Sequence, residues 1–272
     1  MEKQHTITFV GGDKRTVAAA GYFEKKGAKV FLCGFDAYEG NTGKVVRCKW
    51  SSRAVAEAEL VVLPLPYTRD GETVAAPFSK DSIGLGELFS KCESIPVCGG
   101  MLPEGENRFD YYDEVMVLQN ADVTAEAALV LGGQKTEKTL RSASVLISGY
   151  GRIGKALAAK LKAVGADVTV IARKEKDRVL ARLAGCMTNG FETAKELLAQ
   201  ADLVFNTVPD KVFAESVLDA LPDSVPVIDL ANALGGKRTV NAKGLPGTYA
   251  PEEAGIILAG AAERVLERIK RT

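Results

Sequence analysis

The chain of 272 residues is 46% hydrophobic and 26% charged, values ordinary for a globular protein of one large or two small domains. Its 35 basic and 35 acidic residues cancel, and no apolar run approaches the roughly 18 residues of a membrane span, so we expect no nucleic-acid or membrane binding. The five cysteines lack a C-x-x-C pair and no signal peptide is visible, which favours reduced thiols in the cytoplasm and no metal site.

The first part of the chain alternates short apolar runs with amphipathic stretches, a pattern that predicts parallel strands joined by helices. Glycine and proline follow several of the runs, as expected where strands end. Residues 104–114 are polar and are predicted to be helical or irregular. We predict strands over residues 7–10, 29–33, 60–66, 95–98 and 115–118, and a helix over 82–90.

Two loops at predicted strand ends are candidate substrate contacts. Gly11 and Gly12 follow the first strand, and Lys14 or Arg15 comes next. This turn is either a helix cap with solvated charges or a site where helix N–H groups and a cation hold a carboxylate. Thr68 and Arg69 follow the third strand at the carboxyl edge of the sheet. They form either a substrate contact or an ordinary turn.

A helix over residues 120–133 is predicted to connect two α/β domains. We expect a substrate domain over residues 1–119, completed by a C-terminal helix at about 251–272. A dinucleotide-binding domain is expected over 120–250. Asp122 or Thr124 is a suitable N-cap for the connector helix.

Residues 144–155 carry the most informative pattern, a buried strand followed by Gly149, Gly151 and Gly154 in G-x-G-x-x-G spacing. The first glycine allows a tight turn, the second lets the backbone approach a pyrophosphate, and the third lets helix and strand pack closely. The helix N-terminus offers N–H groups to the phosphates. We therefore predict a dinucleotide site here. We count Arg152 and Ile153 with it, where Arg152 either contacts the pyrophosphate or faces water.

The next predicted strand ends in Ala172, Arg173 and Lys174. Proteins that select NAD usually end this strand in a carboxylate, which binds the ribose 2′-hydroxyl, whereas a small residue followed by cations favours a 2′-phosphate. We predict NADP(H) as the cofactor. The alternative is a pair of solvated loop charges.

Two later strands end at the same predicted edge. Asn206, Thr207 and Val208 end one of them and are expected to line the inner ribose and the nicotinamide. Asp229 ends the other, either as a functional carboxylate or as the cap of a neighbouring loop.

These motifs, read in chain order, resemble those of one of the two subunit families of dipicolinate synthase, the dinucleotide-binding A-type subunits. They span nearly the whole chain, except that residues 72–114 carry few matches. The C-terminal motif is the most specific. The matching motifs are Gly11-Gly-Asp-x-Arg15, Gly34-Phe-Asp36, Leu63-Pro64, Thr124-Ala-Glu126, Gly149-x-Gly-x-x-Gly154, Ala172-Arg173, Asn206-Thr207 with Pro209, Asp229-Leu-Ala231, and Gly244-Leu-Pro-Gly-x-x-Ala-Pro251-x-x-Ala-Gly255.

The resemblance implies two Rossmann-like parallel-sheet domains with an interdomain cleft, as in the 2-hydroxyacid dehydrogenase and adenosylhomocysteinase group. It adds Pro209, Asp229, Ala231 and Gly247 to the predicted cofactor-binding residues. Substrate carboxylates are then expected to contact the Gly11-Gly12 turn, Arg15, Thr68, Arg69 and Thr124. Glu126 and Asp229 become candidates for the catalytic base.

The implied activity is the NADP-dependent oxidation, with loss of water, of 4-hydroxy-tetrahydrodipicolinate or dihydrodipicolinate to dipicolinate. The substrate of this reaction is a lysine-pathway intermediate, and its conversion is expected during sporulation, in the mother-cell cytoplasm. The implied partner is the flavoprotein-like B-type subunit of dipicolinate synthase, and a homo-oligomer is also expected.

The number of histidines in the sequence bears on two alternatives to this function. The 2-hydroxyacid dehydrogenases use a histidine late in the chain as the acid and base, whereas the one histidine here is His5. That chemistry is disfavoured. A non-catalytic dinucleotide-binding regulatory or scaffold protein is the other alternative.

Overall fold

The computed structural model describes residues 5–50, 52–242 and 244–271, with the backbone alone for residues 52 and 53. It divides into two compact units. The first comprises residues 1–119 and 250–272, and the second comprises residues 120–249. The boundary at residue 119 falls inside a long helix, Glu114–Lys135.

The described residues of the first unit form a six-stranded sheet in which all pairings are parallel. Its strand order, β3-β2-β1-β4-β5-β6, is that of doubly wound dinucleotide-binding folds. The central strands are buried along nearly their whole length because helices and loops cover the faces of a parallel sheet. The strands are β1 Thr6–Val10, β2 Lys29–Cys33, β3 Val46–Cys48, β4 Leu60–Val62, β5 Val97–Gly99 and β6 Arg108–Asp110.

Helices of the first unit lie between these strands and at the C-terminus. They are α1 Lys14–Lys25, α2 Ser52–Ala56, α3 Leu85–Lys91, the start of α4 Glu114–Lys135, and the C-terminal α10 Pro251–Arg271.

The C-terminal helix α10 packs along α1. Small residues allow this close approach, since a Cβ on Gly255 would lie 2.4 Å from the Arg15 carbonyl oxygen. Ala259 and Ala262 are fully buried in the same helix. An ion pair between Lys26 and Glu263, at 2.7 Å, flanks the contact. The C-terminal helix is therefore an integral part of the first unit.

The second unit repeats the same architecture within its described residues. Its six parallel strands have the order β12-β11-β10-β7-β8-β9, which is again the doubly wound order. The two parallel α/β sheets confirm the predicted fold class. The strands are β7 Ser144–Ser148, β8 Asp167–Ile171, β9 Met187–Asn189, β10 Leu203–Asn206, β11 Val227–Asp229 and β12 Thr239–Asn241.

Helices cover the second sheet and connect its strands. Two short 3-10 helices, Leu140–Ser142 and Phe191–Thr193, lie among them. The α-helices are α5 Arg152–Ala163, α6 Glu175–Leu183, α7 Ala194–Leu198, α8 Glu215–Asp219 and α9 Leu245–Tyr249, together with the rest of α4.

The predicted strand over residues 115–118 is wrong, because these residues form the first turns of α4. The helix is apolar on several sides, so its sequence lacks the helical period that separates a helix from a buried strand. The predicted connector over 120–133 is therefore only part of a longer helix. Gly132 does not end it, and its lack of a side chain serves packing, since a Cβ at this position would lie 2.6 Å from the Phe205 ring.

The apolar character of α4 has a second consequence. By length and composition it is the one helix among the described residues that is suited to cross a membrane. Core helices pass the same test. Ala125 and Ala128 of α4 are buried in the core cluster of the second unit, together with Val145 and Phe205, as expected for a core helix.

Candidate dinucleotide-binding site

The glycine turn after β7 has the geometry that its sequence predicts. Gly149 has a φ of +91°, a left-handed conformation that residues with a Cβ rarely adopt. A Cβ on Gly154 would lie 2.4 Å from the carbonyl oxygen of Gly149, so only glycine permits this approach of α5 to the turn. Between them, Tyr150 is buried in the core, and this burial raises the pKa of its hydroxyl. The close approach of Gly154 to Gly149 and the burial of Tyr150 thus hold the turn in place.

Gly151 differs from the other two glycines because a Cβ at this position would meet no described atom within 4 Å. It is the N-cap of α5, and no side chain caps the helix there. The exposed helix N-terminus provides N–H donors and a positive dipole end, which suit a pyrophosphate. Arg152 and Ile153 form the first turn of this helix.

A buried polar cluster joins the carboxyl ends of the three central strands. Asn206 accepts hydrogen bonds from Ser148 Oγ at 2.6 Å and from the Val208 amide at 3.1 Å. Its Nδ2 donates to Asp229 Oδ1 at 2.8 Å and to the Val208 carbonyl at 3.0 Å. These four bonds saturate the Asn206 amide. Its side chain therefore orders the strand ends. It has no free hydrogen-bonding group for the predicted contact with the nicotinamide.

Asp229 is the cap of the loop that follows β11. Its Oδ1 also accepts from the Ala231 amide at 3.1 Å, and its Oδ2 accepts from the amides of Ala233 and Leu234 at 2.7 and 2.8 Å. The residue is 1% exposed. With four donors on two oxygens, the carboxylate lacks the open lone pair that a catalytic base needs. The structure therefore corresponds to the loop-cap alternative.

The other residues predicted at this edge occupy more open positions. Thr207 donates to the Ser148 carbonyl at 2.8 Å and lies against Gly149, while Pro209 is exposed. Ala231 lies in the loop that Asp229 caps. Gly247 lies in α9, the helix that follows the outermost strand β12.

The end of β8 presents cations at the position where a cofactor ribose is expected. Ala172 is buried, whereas the Arg173 side chain is 72% exposed and lies 4.0 Å from Asp210. Lys174 is the N-cap residue of α6 and is exposed. No carboxylate ends the strand, which is the pattern that favours a 2′-phosphate.

Two residues of this site were missed by the sequence analysis. Arg178 donates from Nη1 to the carbonyls of Ala172 and Arg173, at 2.7 and 3.0 Å, and so holds the loop after β8. Ser148 links β7 to Asn206. A polar residue at the end of an apolar strand was the available signal for Ser148, whereas the Arg178 contact depends on side-chain geometry alone.

Glu126, the other predicted base, lies away from these strand ends. Its carboxylate is 57% exposed and 3.9 Å from Lys160, which also pairs with Asp122. Lys160 is in the third turn of α5, about 12 Å along the helix from its N-terminus at about 1.5 Å per residue. Glu126 is therefore placed against the flank of α5. Thr124 donates to the Asn120 carbonyl of its own helix at 2.7 Å.

The corresponding turn of the first unit is closed by the protein itself. The Gly11 amide donates to the Cys33 carbonyl at 2.9 Å, and the Gly12 amide donates to the Ala75 carbonyl at 2.8 Å. A Cβ on Gly11 would contact Val74, Ala75 and Ala76. These two amides are therefore occupied, and the prediction that they hold a carboxylate is not supported by this geometry.

Arg15 lies beside this turn with its guanidinium partly committed. Its Nε and Nη2 donate to the Asp13 carboxylate, and Nη2 also donates to the Leu65 carbonyl at 2.8 Å. Among the described residues, no hydrogen bond engages Nη1. The arginine is thus held rigidly with one edge available for an anion.

The Thr68 and Arg69 loop is a tight polar turn. Thr68 donates to Asp70 Oδ1 at 3.0 Å and accepts from the Gly71 amide. Hydrogen bonds from Thr73 and its neighbours hold the pKa of Asp70 well below its usual range. Arg69 is exposed and makes no ion pair within the described part of the chain. Arg69 is therefore better placed than Thr68 to meet a substrate carboxylate.

Two known protein families match this chain, one in each part. Residues 6–115 match the N-terminal domain of the dipicolinate synthase A-type subunits, and residues 118–233 match the NAD-binding domain of the D-isomer-specific 2-hydroxyacid dehydrogenases. The A-type subunit of dipicolinate synthase from Bacillus subtilis (strain 168) is 24% identical over 286 residues, which cover 97% of this chain and 96% of the relative. The chain is similar to this dipicolinate synthase subunit along nearly its whole length. The predicted resemblance is confirmed.

Solved structures extend the comparison. The crystal structure of the dipicolinate synthase A-type subunit from Bacillus halodurans has a TM-score of 0.81 and 28% identity, with 97% of each chain covered. A transhydrogenase from Sinorhizobium meliloti shares the fold, with a TM-score of 0.66, 15% identity, and coverage of 97% of this chain and 94% of the other. The second unit is similar to the NAD-binding domain of dehydrogenases, and this match supports a nicotinamide dinucleotide as the cofactor. The choice of NADP over NAD stays a prediction.

Proposed function

We propose that this chain is the dinucleotide-binding subunit of a dipicolinate synthase. It would catalyse the NADP-dependent oxidation, with dehydration, of 4-hydroxy-tetrahydrodipicolinate to dipicolinate in the cytoplasm of a sporulating mother cell. The flavoprotein-like B-type subunit would be its partner. The observation that carries the proposal is the match to the dipicolinate synthase A-type subunit over 97% of the chain, combined with an intact glycine turn.

The overall reaction defines what the binding residues must do. Loss of water gives a dihydropyridine dicarboxylate, and removal of a hydride and a proton then gives the aromatic ring. When bound, the nicotinamide supplies the hydride acceptor. Gly151 and the α5 N-terminus would hold the pyrophosphate. Arg15 and Arg69 are the cations that we propose for the two substrate carboxylates.

We assign the proton acceptor to none of the described side chains. Asp229 is saturated by four hydrogen bonds, and Glu126 lies against α5. His5 precedes β1, at the end of the strand opposite its carboxyl edge, where it pairs with Glu59 at 2.6 Å and contacts Lys270. Aromatisation makes the proton acidic, so water or a group of the partner protein would suffice.

The same observations favour one alternative, a scaffold that binds the dinucleotide while the B-type subunit performs the chemistry. A 2-hydroxyacid-type dehydrogenase is disfavoured because the one histidine in the sequence is His5. The alternatives make different demands on the glycine turn. An oxidoreductase needs the bound cofactor in every turnover, whereas a scaffold does not.

Reconstitution of the reaction separates these proposals. The product of 4-hydroxy-tetrahydrodipicolinate synthase, generated in situ, would be supplied to the chain with NADP, with and without the B-type subunit. We expect dipicolinate and NADPH to appear in equal amounts, and we expect the Gly151→Asp variant to form neither. An undiminished rate without NADP, or in that variant, would instead indicate the scaffold role.

Cofactor choice is tested by one substitution at the end of β8. In Arg173→Ala, we expect the Kd for NADPH to rise about tenfold, which corresponds to about 1.4 kcal/mol, with the Kd for NADH unchanged. Fluorescence titration of each reduced dinucleotide provides the measurement. Lys176→Ala removes a similarly exposed cation from α6 and serves as the matched control. Equal affinities of the unmodified chain for both dinucleotides would contradict the prediction.

A further inference from the structure

Two of the five cysteines face each other at the edge of the first sheet. Cys33 ends β2 and Cys48 ends β3, and the two residues are direct partners in the parallel pairing of these strands. Their Sγ atoms lie 2.9 Å apart. Neighbouring strands are about 4.8 Å apart, which is within the range of Cα separations of disulfide-bonded cysteines, about 4.4–6.8 Å. Both side chains are therefore already positioned for a covalent bond.

The surroundings distinguish the two thiols. Cys33 is fully buried, whereas Cys48 is half-buried and lines an open pocket of about 260 Å³, together with Phe35, Asp36, Arg47 and Lys49. The hydrogen bond with Cys33 lowers the pKa of Cys48, and the pKa of Cys33 is raised by this bond and by burial. Cys48 is thus the thiol that ionises more readily and that a small oxidant can reach.

We propose that Cys33 and Cys48 form a reversible disulfide when the protein meets hydrogen peroxide. The Cys48 thiolate attacks one peroxide oxygen, the O–O bond breaks, and the released hydroxide takes a proton to become water. The sulfur of Cys33, which gives up its proton, then attacks the resulting Cys48 sulfenic acid. The S–O bond breaks and a second water leaves. Two thiols together supply the two electrons that reduce the peroxide.

The position of the pair links it to the turn after β1. The Cys33 carbonyl accepts a hydrogen bond from the Gly11 amide at 2.9 Å, so the cross-link would form directly beside this turn. It would also tie β3, the edge strand of the sheet, to its neighbour. Formation of the cross-link depends on this geometry and not on the proposed reaction.

Thiol counting and peptide mapping test the inference on the full chain. After brief treatment with a small excess of peroxide, quenched with catalase, we expect two of the five thiols to be lost. Peptides containing Cys33 and Cys48 should be joined with a loss of two hydrogens, and dithiothreitol should restore both thiols. Retention of all thiols, a different pairing, or a loss that dithiothreitol does not reverse would overturn the proposal.

Single substitutions supply the controls. In Cys48→Ser, and in Cys33→Ala, the cross-linked peptide should be absent. In Cys92→Ser and Cys186→Ser, the same two thiols should still be lost, because these cysteines hydrogen-bond no other cysteine in the described part of the chain. Circular dichroism of each variant checks that it folds. A cross-link that depends on Cys92 or Cys186 would also count against the assignment.

Discussion

Gly151→Ala is expected to weaken dinucleotide binding at least about tenfold, or about 1.4 kcal/mol, while leaving the thermal midpoint of the chain unchanged. The residue has φ −78° and ψ −159°, a conformation that alanine adopts readily, and the added Cβ would meet no described atom within 4 Å. The methyl group would instead occupy the space through which the backbone approaches a pyrophosphate. Titration with NADPH and a thermal melt, on the same preparation, measure both quantities.

Gly154→Ala is expected to behave differently, although it lies three residues away. Its Cβ would be 2.4 Å from the Gly149 carbonyl oxygen, which is a backbone atom and cannot rotate away. Forced shifts of packed backbone destabilise a protein by about 1–3 kcal/mol. This variant should therefore lose both stability and dinucleotide binding. The comparison separates the glycine that makes room for a ligand from the glycine that makes room for the protein.

Gly133→Ala is the control for these two variants. Gly133 lies inside α4, and the nearest atom to its added Cβ would be in Leu140 at 3.6 Å, an ordinary contact. Alanine is also a better helix former than glycine by about 1 kcal/mol. Unchanged binding and equal or higher stability are expected. If Gly151→Ala bound NADPH as tightly as this control, the turn would not be the phosphate site.

The central strands of both sheets were predictable from sequence because they are largely apolar and most of them are followed closely by glycine or proline. The outer strands β3, β6, β9 and β12 were not predicted, and β6 lies in the stretch 104–114 that was predicted to be helical or irregular. Each has three residues and is only partly buried, so its sequence carries neither a long apolar run nor a clear alternation. Their pairing with the neighbouring strand defines them as strands, and this is a tertiary effect.

The residues of the candidate site likewise divide into those whose role the sequence predicts and those whose role it does not. Gly149, Gly151 and Gly154 were predictable because the backbone geometry of the turn, or the ligand it is built to hold, excludes most other residues. The hydrogen bonds of Asn206 and Asp229 were not predictable, since they join three strands that are distant in sequence. For Asp229, the sequence left a functional carboxylate and a loop cap open, and its four hydrogen bonds distinguish between them.

Asp229→Ala is expected to destabilise the chain by about 3 kcal/mol. Removal of the carboxylate leaves the buried Nδ2 of Asn206 without one acceptor and releases the Ala233 and Leu234 amides. Hydrogen bonds to charged groups contribute about 1.5–3 kcal/mol each, and water can replace part of this loss at the half-buried amides. Urea denaturation followed by circular dichroism measures the change. Asp167→Asn, an exposed carboxylate at the start of β8, should change stability by less than about 0.5 kcal/mol.

Asp229→Asn distinguishes a loop cap from a catalytic base. In the native chain, each carboxylate oxygen accepts two N–H donors, so either orientation of an asparagine amide would turn its NH₂ group toward donors. A loop cap therefore predicts that Asp229→Asn loses stability nearly as much as Asp229→Ala and binds NADPH more weakly. A base would predict a stable protein with normal NADPH binding and no turnover. The stability and dinucleotide affinity of this one variant decide between the two roles before any substrate is added.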